Sequence, residues 1–248
     1  MLRKLINANV YLSHKVDSIL PESYQIEGYS DFSNKVLDKY ITKNALIYDV
    51  GGGKQPHVGS DLKKKLSLSI IGLDINENEL RQAPKDSYDR AIAADITEHN
   101  GQGDADLVIC KALLEHVQDT RKAIMSLASI INKDGKILIF VPSRNAIFAR
   151  LNLIIPESLK KKILFTIFPQ TTYAQGFKAY YDRCTPKTMT KIVKECGLEV
   201  LEFKPYFKSG YFSFFFPFHL LWRIYVVCFR LLAGDNAAET FTMVVGKK

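Results

Sequence analysis

From residue 45 onward, short apolar runs alternate with segments of helical periodicity. Strands that are joined through helices pair in parallel and are covered by those helices on both faces. The pattern therefore predicts an α/β fold with a mainly parallel sheet of seven strands. The predicted strands are 45–50, 66–75, 90–96, 105–110, 136–141, 198–203 and 240–245.

The rest of the chain falls into an N-terminal segment and two insertions. Residues 1–44 have a helical tendency, which predicts a helical cap before a main domain of residues 45–248. Two hydrophobic stretches, at about 143–179 and about 205–237, interrupt the alternation of strands and helices.

The amino-acid composition favours some classes of binding partner but does not identify one. The formal net charge of +8 favours anionic partners, which include nucleic acid, phosphorylated substrates and the acidic inner leaflet of a membrane. The four cysteines show neither a CxxC pair nor metal-ligand spacing, which predicts reduced thiols, no metal and a cytoplasmic location. The first twenty residues do not have the pattern of a secretory signal.

The stretch YDVGGGKQP, residues 48–56, follows the first predicted strand. Its three glycines, Gly51, Gly52 and Gly53, lie at the edge of the sheet where α/β folds bind ligands. The dinucleotide pattern fails because Pro56 stands where its third glycine is required, and the P-loop pattern also fails. Asp49 would repel a pyrophosphate but attract an ammonium or a sulfonium. These features together favour S-adenosylmethionine as the ligand.

The same stretch resembles motif I of the class I S-adenosylmethionine-dependent methyltransferases, in which an acid and any residue precede G-x-G-x-G. Asp49, Gly51 and Gly53 match this motif, while Gln55 stands at its third glycine. The resemblance implies a Rossmann-like sheet, with the methionine part of the cofactor against the glycines. Pro56 is expected to open the following helix.

Two further acids match the family in order and spacing. Asp74, followed by Ile75, ends the second predicted strand, and the resemblance implies that its carboxylate binds both ribose hydroxyls. Asp95 and Ile96 stand where family members bind the adenine amino group and cover its ring. Structural alternatives are a helix-capping role for Asp74 and a solvated Asp95.

The segment 106–117 begins with a strand and ends in the tetrapeptide LEHV. It resembles the subgroup that includes the ubiquinone and menaquinone methyltransferases. His116 is the candidate general base because it follows the fourth strand and titrates near neutral pH. Glu115 can instead supply the negative charge of a first helical turn. Lys111 is placed with the cofactor-binding residues, with solvent exposure as the alternative.

A second candidate region precedes the predicted helix 186–196. Tyr181, Asp182 and Arg183 occupy a position that often lies near the active-site mouth in comparable enzymes, which predicts contacts with substrate. The alternative is that Thr185 and Pro186 simply start a helix and the tyrosines pack.

The two hydrophobic insertions include the apolar segments 146–168 and 210–232. Pro217, His219 and Arg223 interrupt the second, which argues against a conventional transmembrane helix. Three interpretations are open: a substrate lid, a homodimer interface, or peripheral contact with the inner face of the membrane.

The resemblance implies an enzyme that transfers a methyl group from S-adenosylmethionine to a small or lipid-linked acceptor. A glycolipid, a polysaccharide precursor and a quinone-like ring all fit that description. The competing functions are a nucleic-acid methyltransferase and a non-catalytic adenosyl-binding or membrane-associated protein. Nucleic acid is not expected as a partner, because the basic residues form no single stripe and no amino-methylating motif occurs.

Overall fold

The computed structural model describes residues 2–156, 177–210 and 212–248, and these contain all seven strands that the sequence predicts. They form one sheet in the order β3-β2-β1-β4-β5-β7-β6. Among the described strands, β7 alone runs in the direction opposite to the others, so the predicted mainly parallel sheet is confirmed. The strands are β1 Leu46–Val50, β2 Ser69–Asp74, β3 Arg90–Ala93, β4 Ala105–Lys111, β5 Ile131–Pro142, β6 Leu198–Tyr206 and β7 Thr240–Lys247.

Helices cover both faces of the sheet and extend beyond it at the N-terminus. The second helix, α2, consists of three consecutive helical segments, Gly28–Asp31, Phe32–Val36 and Leu37–Tyr40. The other described α-helices are α1 Leu2–Ile19, α3 Ser60–Leu66, α4 Glu77–Arg81, α5 Thr120–Ile130, α6 Ile147–Ile154, α7 Pro186–Glu195 and α8 Phe216–Ala233. Short 3₁₀ turns occupy Glu22–Tyr24, Leu114–His116 and Gly234–Ala237.

The alternation of side chains along the strands divides the core into two layers. On one face, Ile47 and Ile109 pack in a cluster with α2 and α3. On the other face, Tyr48 and Cys110 pack in a cluster with α5 and α7. Because both faces are buried, the strands read as nearly continuous apolar runs.

The register brings the carboxyl ends of the central strands together. Val50 at the end of β1 is opposite Leu73 of β2 and Cys110 of β4. The loops that follow β1, β2, β3 and β4 therefore meet at one edge, where the site lies.

Two boundaries near this edge differ from the sequence interpretation. Pro56 does not open a helix, because α3 begins only at Ser60 after a longer loop. The second strand begins at Ser69 rather than at residue 66, because α3 continues to Leu66 and ends at a left-handed Ser67 with φ of 54°.

The insertions are partly helical. The second forms α8, which packs beside α1, and the first contributes α6. Residues 157–176, which include most of the predicted membrane segment 146–168, lie outside the described residues. The division into a cap of residues 1–44 and a main domain stays a prediction, although α2 already belongs to the layer that covers the sheet.

Candidate cofactor and active site

A cavity of about 710 Å³ opens at the carboxyl edge of the sheet. This volume is within the range of small-molecule sites, roughly 300–1,000 Å³. Its wall includes the glycine Gly51 after β1, the carboxylates of Asp74 and Asp95 after β2 and β3, and the imidazole of His116 after β4. Each of these residues lies at the carboxyl end of the strand at which its motif was predicted.

Asp49 lies beneath the glycine loop and is fully buried, so it does not line the cavity. Its carboxylate accepts a hydrogen bond from the backbone N–H of His57 at 2.8 Å and also contacts His57 Nδ1. A Cβ at Gly52 would lie 2.6 Å from Asp49 Oδ1. A side chain at position 52 would therefore clash with Asp49, and a contact between the Gly52 backbone and a ligand stays a prediction.

Gly51 and Gly53 have positive φ angles of 80° and 51°, which glycine adopts at little cost. The sequence analysis missed Tyr88, whose hydroxyl donates a hydrogen bond of 3.0 Å to the Gly53 carbonyl. The Tyr88 ring is close enough that a Cβ at Gly72 would lie 2.8 Å from it. A glycine inside strand β2 was the one sequence sign of this contact.

Asp74 is half-buried at the end of β2, and its Oδ1 accepts a hydrogen bond of 2.8 Å from the backbone N–H of Asn76. Burial raises the pKa of the Asp74 carboxyl, and the nearby charges of Glu79 and Asp49 add to this increase. Glu79 is itself paired with Lys54 at 3.1 Å. Asp74 is the one of these three carboxylates that lines the cavity, and the negative charges of all three favour a cationic ligand.

Asp95 and Ile96 lie on the wall of the cavity after β3. Asp95 Oδ1 accepts hydrogen bonds of 2.8 Å from both the backbone N–H and the hydroxyl of Thr97, which fix its carboxylate. Ile75 also borders the cavity and is 61% exposed, an apolar surface that a bound ligand can cover.

Lys111 is neither solvated nor among the residues that line the cavity. Its ammonium lies 3.3 Å from the centroid of the Tyr29 ring and donates a hydrogen bond of 2.7 Å to Ser33. Strand alternation places Lys111 on the same face as Ile109, the face that α2 covers. The prediction that Lys111 contacts the cofactor is corrected on this ground.

His116 is the titratable imidazole on the cavity wall. Its Nδ1 lies 3.1 Å from the Lys178 carbonyl oxygen, which can only accept, so Nδ1 carries the proton. Nε2 is then the nitrogen that can take a proton. Burial lowers the pKa of His116 below its ordinary value of 6.5, against the opposing effect of the Lys178 and Phe177 carbonyls. The imidazole is therefore neutral at pH 7.

Glu115 is buried and does not line the cavity, and its Oε1 lies 3.8 Å from His116 Nε2. Its Oε2 has no hydrogen-bond partner among the described residues, and burial raises the pKa of its carboxyl to about 8. Its backbone carbonyl accepts hydrogen bonds from the N–H groups of Tyr180 and Tyr181, at 2.7 and 3.0 Å. This segment therefore brings residues 177–180 next to His116.

Replacing Glu115 with glutamine is expected to change how stability depends on pH. The folded protein holds a carboxyl proton up to about pH 8, whereas the unfolded chain releases it near 4.5. Wild-type stability should therefore fall relative to the variant as pH rises between these values, by roughly 3–5 kcal/mol. Urea unfolding of both proteins from pH 5 to 8 measures the difference. A difference that stays constant with pH would contradict the assignment.

The predicted substrate residues Tyr181, Asp182 and Arg183 do not line the cavity. Tyr181 is buried, and Asp182 Oδ2 accepts a hydrogen bond of 3.0 Å from the N–H of Thr120 at the start of α5. Arg183 Nε lies 3.8 Å from Asp182 Oδ1. The correction is that this segment anchors α5, and Tyr180 borders the cavity in its place.

Within the described ranges, no group of three His, Cys, Asp or Glu side chains is arranged to hold a metal ion. The groups of the cavity wall that can take part in chemistry include the glycine loop, the carboxylates of Asp74 and Asp95 and the imidazole of His116.

Known proteins resemble this chain in sequence and in fold. A family model described as a methyltransferase domain matches residues 22–202. A curated relative, the ubiquinone biosynthesis O-methyltransferase of Cupriavidus pinatubonensis, is 22% identical over 165 residues, which cover 64% of this chain and 61% of the relative. The enzyme of that name from Thiobacillus denitrificans is 24% identical over 169 residues, or 64% and 66% of the two chains. The chain thus spans about three fifths to two thirds of the length of these relatives.

Solved structures share the fold at low sequence identity. Geranyl diphosphate C-methyltransferase from Streptomyces coelicolor superposes with a TM-score of 0.55 at 8% identity, covering 88% of this chain and 76% of that one. Phosphoethanolamine N-methyltransferase 2 from Haemonchus contortus, solved with S-adenosylmethionine, gives a TM-score of 0.54 at 14% identity, covering 96% and 56%. These similarities support the fold alone.

Proposed function

Because the chain belongs to the methyltransferase-domain family, we propose that it transfers the methyl group of S-adenosylmethionine to a small-molecule acceptor. The observation that carries the proposal is the cavity in which Asp74, Asp95 and the Gly51 backbone meet His116. A sulfonium donor supplies an activated methyl group, and its sulfur leaves as a neutral thioether.

The residues of the cavity fit such a donor. In this proposal the Asp74 carboxylate accepts hydrogen bonds from both ribose hydroxyls, and Asp95 with Ile96 holds the adenine. The bare backbone of Gly51–Gly53 receives the methionine part. The Asp49 carboxylate lies below the loop and already contacts the backbone N–H and Nδ1 of His57. It would therefore act on the cofactor through its negative charge.

His116 is the proposed general base. An acceptor hydroxyl would give its proton to Nε2 while its oxygen forms the new bond to the methyl carbon and the carbon–sulfur bond breaks. The Nδ1–H donated to the Lys178 carbonyl keeps the imidazole in the required tautomer. Phe177 and Tyr180 border the same cavity and would help to exclude water from the reacting atoms.

We further propose that the acceptor is lipid-linked and is methylated at the inner face of the membrane. The support is the exposed apolar surface of α8, within the segment 210–232, together with the net charge of +8. The names of the curated relatives record O-methylation in ubiquinone biosynthesis for those proteins. A glycolipid, a lipid-linked polysaccharide precursor or a quinone-like ring would all meet these requirements.

Both the methyl transfer and the lipid-linked acceptor are tested by incubating the protein with cell extracts and methyl-labelled S-adenosylmethionine. The lipid and aqueous fractions are kept apart and each is analysed by mass spectrometry for labelled products. Label in a lipid product is the expected result. Label only in a water-soluble product would remove the lipid-linked acceptor, and no labelled product in either fraction would remove the enzymatic function.

A further inference from the structure

The helix α8 buries two polar side chains on one face and exposes apolar side chains on the other. Its buried side chains are His219, Trp222, Arg223 and Val226, which recur at the spacing of one helical face. The opposite face exposes Leu221 by 64%, Ile224 by 53% and Leu231 by 81%. A surface helix of a water-soluble protein normally shows the reverse arrangement.

A buried charge cluster holds α8 in this orientation. Arg223 Nε and His219 Nε2 lie 3.0 and 3.1 Å from the Asp17 carboxylate of α1. The guanidinium also donates hydrogen bonds to the carbonyls of Phe207 and Tyr24, at 2.6 and 2.7 Å. Rotation of α8 to hide its apolar face would break all of these contacts and expose the cluster, so the apolar face is built to remain outside.

The helix α1 continues the same surface. Its buried side chains include the polar Ser13 and Asp17, while Leu5, Leu12 and Ile19 are exposed by 63%, 43% and 81%. These three apolar residues are seven positions apart, so they form one stripe along the helix. Asn9 Oδ1 of α1 accepts a hydrogen bond of 2.8 Å from the N–H of Phe216 at the start of α8, which joins the two helices.

The helix α6 also lies next to α8. Its Arg150 guanidinium lies 5.9 Å from the centroid of the Phe229 ring of α8. Leu151, Leu153 and Ile154 of α6 are exposed by 37%, 40% and 77%. Three neighbouring helices therefore each expose apolar side chains, and we name this region the three-helix surface.

Exposed charges on the three-helix surface are all positive. The described residues of α1, α6 and α8 have exposed basic side chains at Arg3, Lys4, Lys15 and Arg150, and their one acid is the buried Asp17. Lys15 lies 5.0 Å from the centroid of the exposed Tyr11 ring. Apolar and aromatic side chains bordered by cations are the arrangement of helices that lie in a membrane interface.

We propose that the three-helix surface docks onto an anionic lipid bilayer, with α1 and α8 lying in the plane of the headgroups. This inference rests on the proposed membrane function and names its partner and its contact residues. Among the described helices, the segment Phe216–Ala237 is the one long and apolar enough to cross a bilayer. In its most apolar stretch, 22% of the residues are buried in the protein. The cluster around Asp17 instead keeps one side of α8 on the protein, so only the outer side enters the lipid.

Flotation of the full chain with vesicles tests the inference without cofactor or acceptor. Vesicles of neutral phosphatidylcholine are compared with vesicles that also contain anionic phosphatidylglycerol. The variant with Leu221→Ser, Ile224→Ser and Leu231→Ser is expected to lose at least a hundredfold in partitioning, because the apolar contacts are removed. The variant with Lys4→Gln and Lys15→Gln should lose about 25-fold on anionic vesicles, at about fivefold for each cation, and little on neutral ones.

The matched control carries Met125→Ser and Leu201→Ser, since both side chains are exposed, at 54% and 46%, outside the three-helix surface. It should float as the wild type does, and all variants should keep the wild-type thermal melting temperature. Equal flotation of the wild type and the triple variant would overturn the inference. The inference would also be overturned if the wild type bound neither type of vesicle but formed a dimer that the triple variant cannot form. Neither result depends on methyl transfer, so the two proposals fail separately.

Discussion

Replacing His116 with glutamine is expected to lower kcat by about 10²- to 10⁴-fold, the usual contribution of a general base. Glutamine is similar in size to histidine but has no site that takes a proton at neutral pH. The affinity for S-adenosylmethionine should stay within about twofold of the wild type, because the proposed cofactor contacts lie elsewhere on the wall. Rates are measured with the acceptor that the labelled-methyl experiment identifies.

The control for this variant is His14→Gln, which changes an exposed histidine of α1. Its kcat with a solubilised acceptor should equal that of the wild type. A His116→Gln enzyme that retains full kcat would contradict the role of the imidazole as base, and a loss of cofactor binding would point to a structural role.

The dependence of rate on pH gives a second measurement of the same residue. Because burial lowers the pKa of His116 below 6.5, the base form predominates at neutral pH. The rate should therefore be constant near pH 7 and fall only as pH drops below 6.5. This acidic limb should be absent from the residual activity of His116→Gln, and its persistence there would assign the limb to another group.

Replacing Asp74 with alanine is expected to weaken cofactor binding by about 150- to 25,000-fold. Each hydrogen bond between a hydroxyl and a charged carboxylate contributes about 1.5–3 kcal/mol, and the proposal assigns two of them to Asp74. Isothermal titration calorimetry with S-adenosylmethionine measures the change. Because alanine also removes the hydrogen bond from the Asn76 N–H, Asp74→Asn provides a milder variant that preserves this turn.

The matched control is Glu77→Ala on α4, an exposed acid paired with Arg81 at 2.6 Å. It removes the same charge a few residues away, so long-range electrostatics change in a similar way. Its affinity should remain within about threefold of the wild type. Equal losses in the Asp74 and Glu77 variants would reduce the role of Asp74 to a general charge effect.

The sequence contained most of the sheet and the position of the site. Apolar runs that are buried on both faces are visible without a structure, and the acids that end β2 and β3 must meet at one edge once the strands are parallel. Asp74, Asp95 and His116 follow from that argument, and the cavity wall includes all three.

Contacts between side chains of different loops could not be obtained in this way. Asp49 pairs with His57, and Asp182 pairs with the start of α5. Both contacts depend on loop conformations, and loops have no periodic sequence pattern from which their conformation could be predicted. Lys111 is a different case, since strand alternation from Ile109 already placed it on the α2 side. The orientation of α8 was also hidden, because its interrupting polar residues His219 and Arg223 turn inward onto Asp17.

A crystal structure of the protein with S-adenosylhomocysteine tests the central claim most directly. The account predicts ribose hydroxyls within hydrogen-bond distance of the Asp74 carboxylate, the adenine beside Asp95 and Ile96, and the homocysteine part against Gly51–Gly53. A ligand bound away from this edge of the sheet, or a cavity that stays empty at saturating ligand, would contradict it.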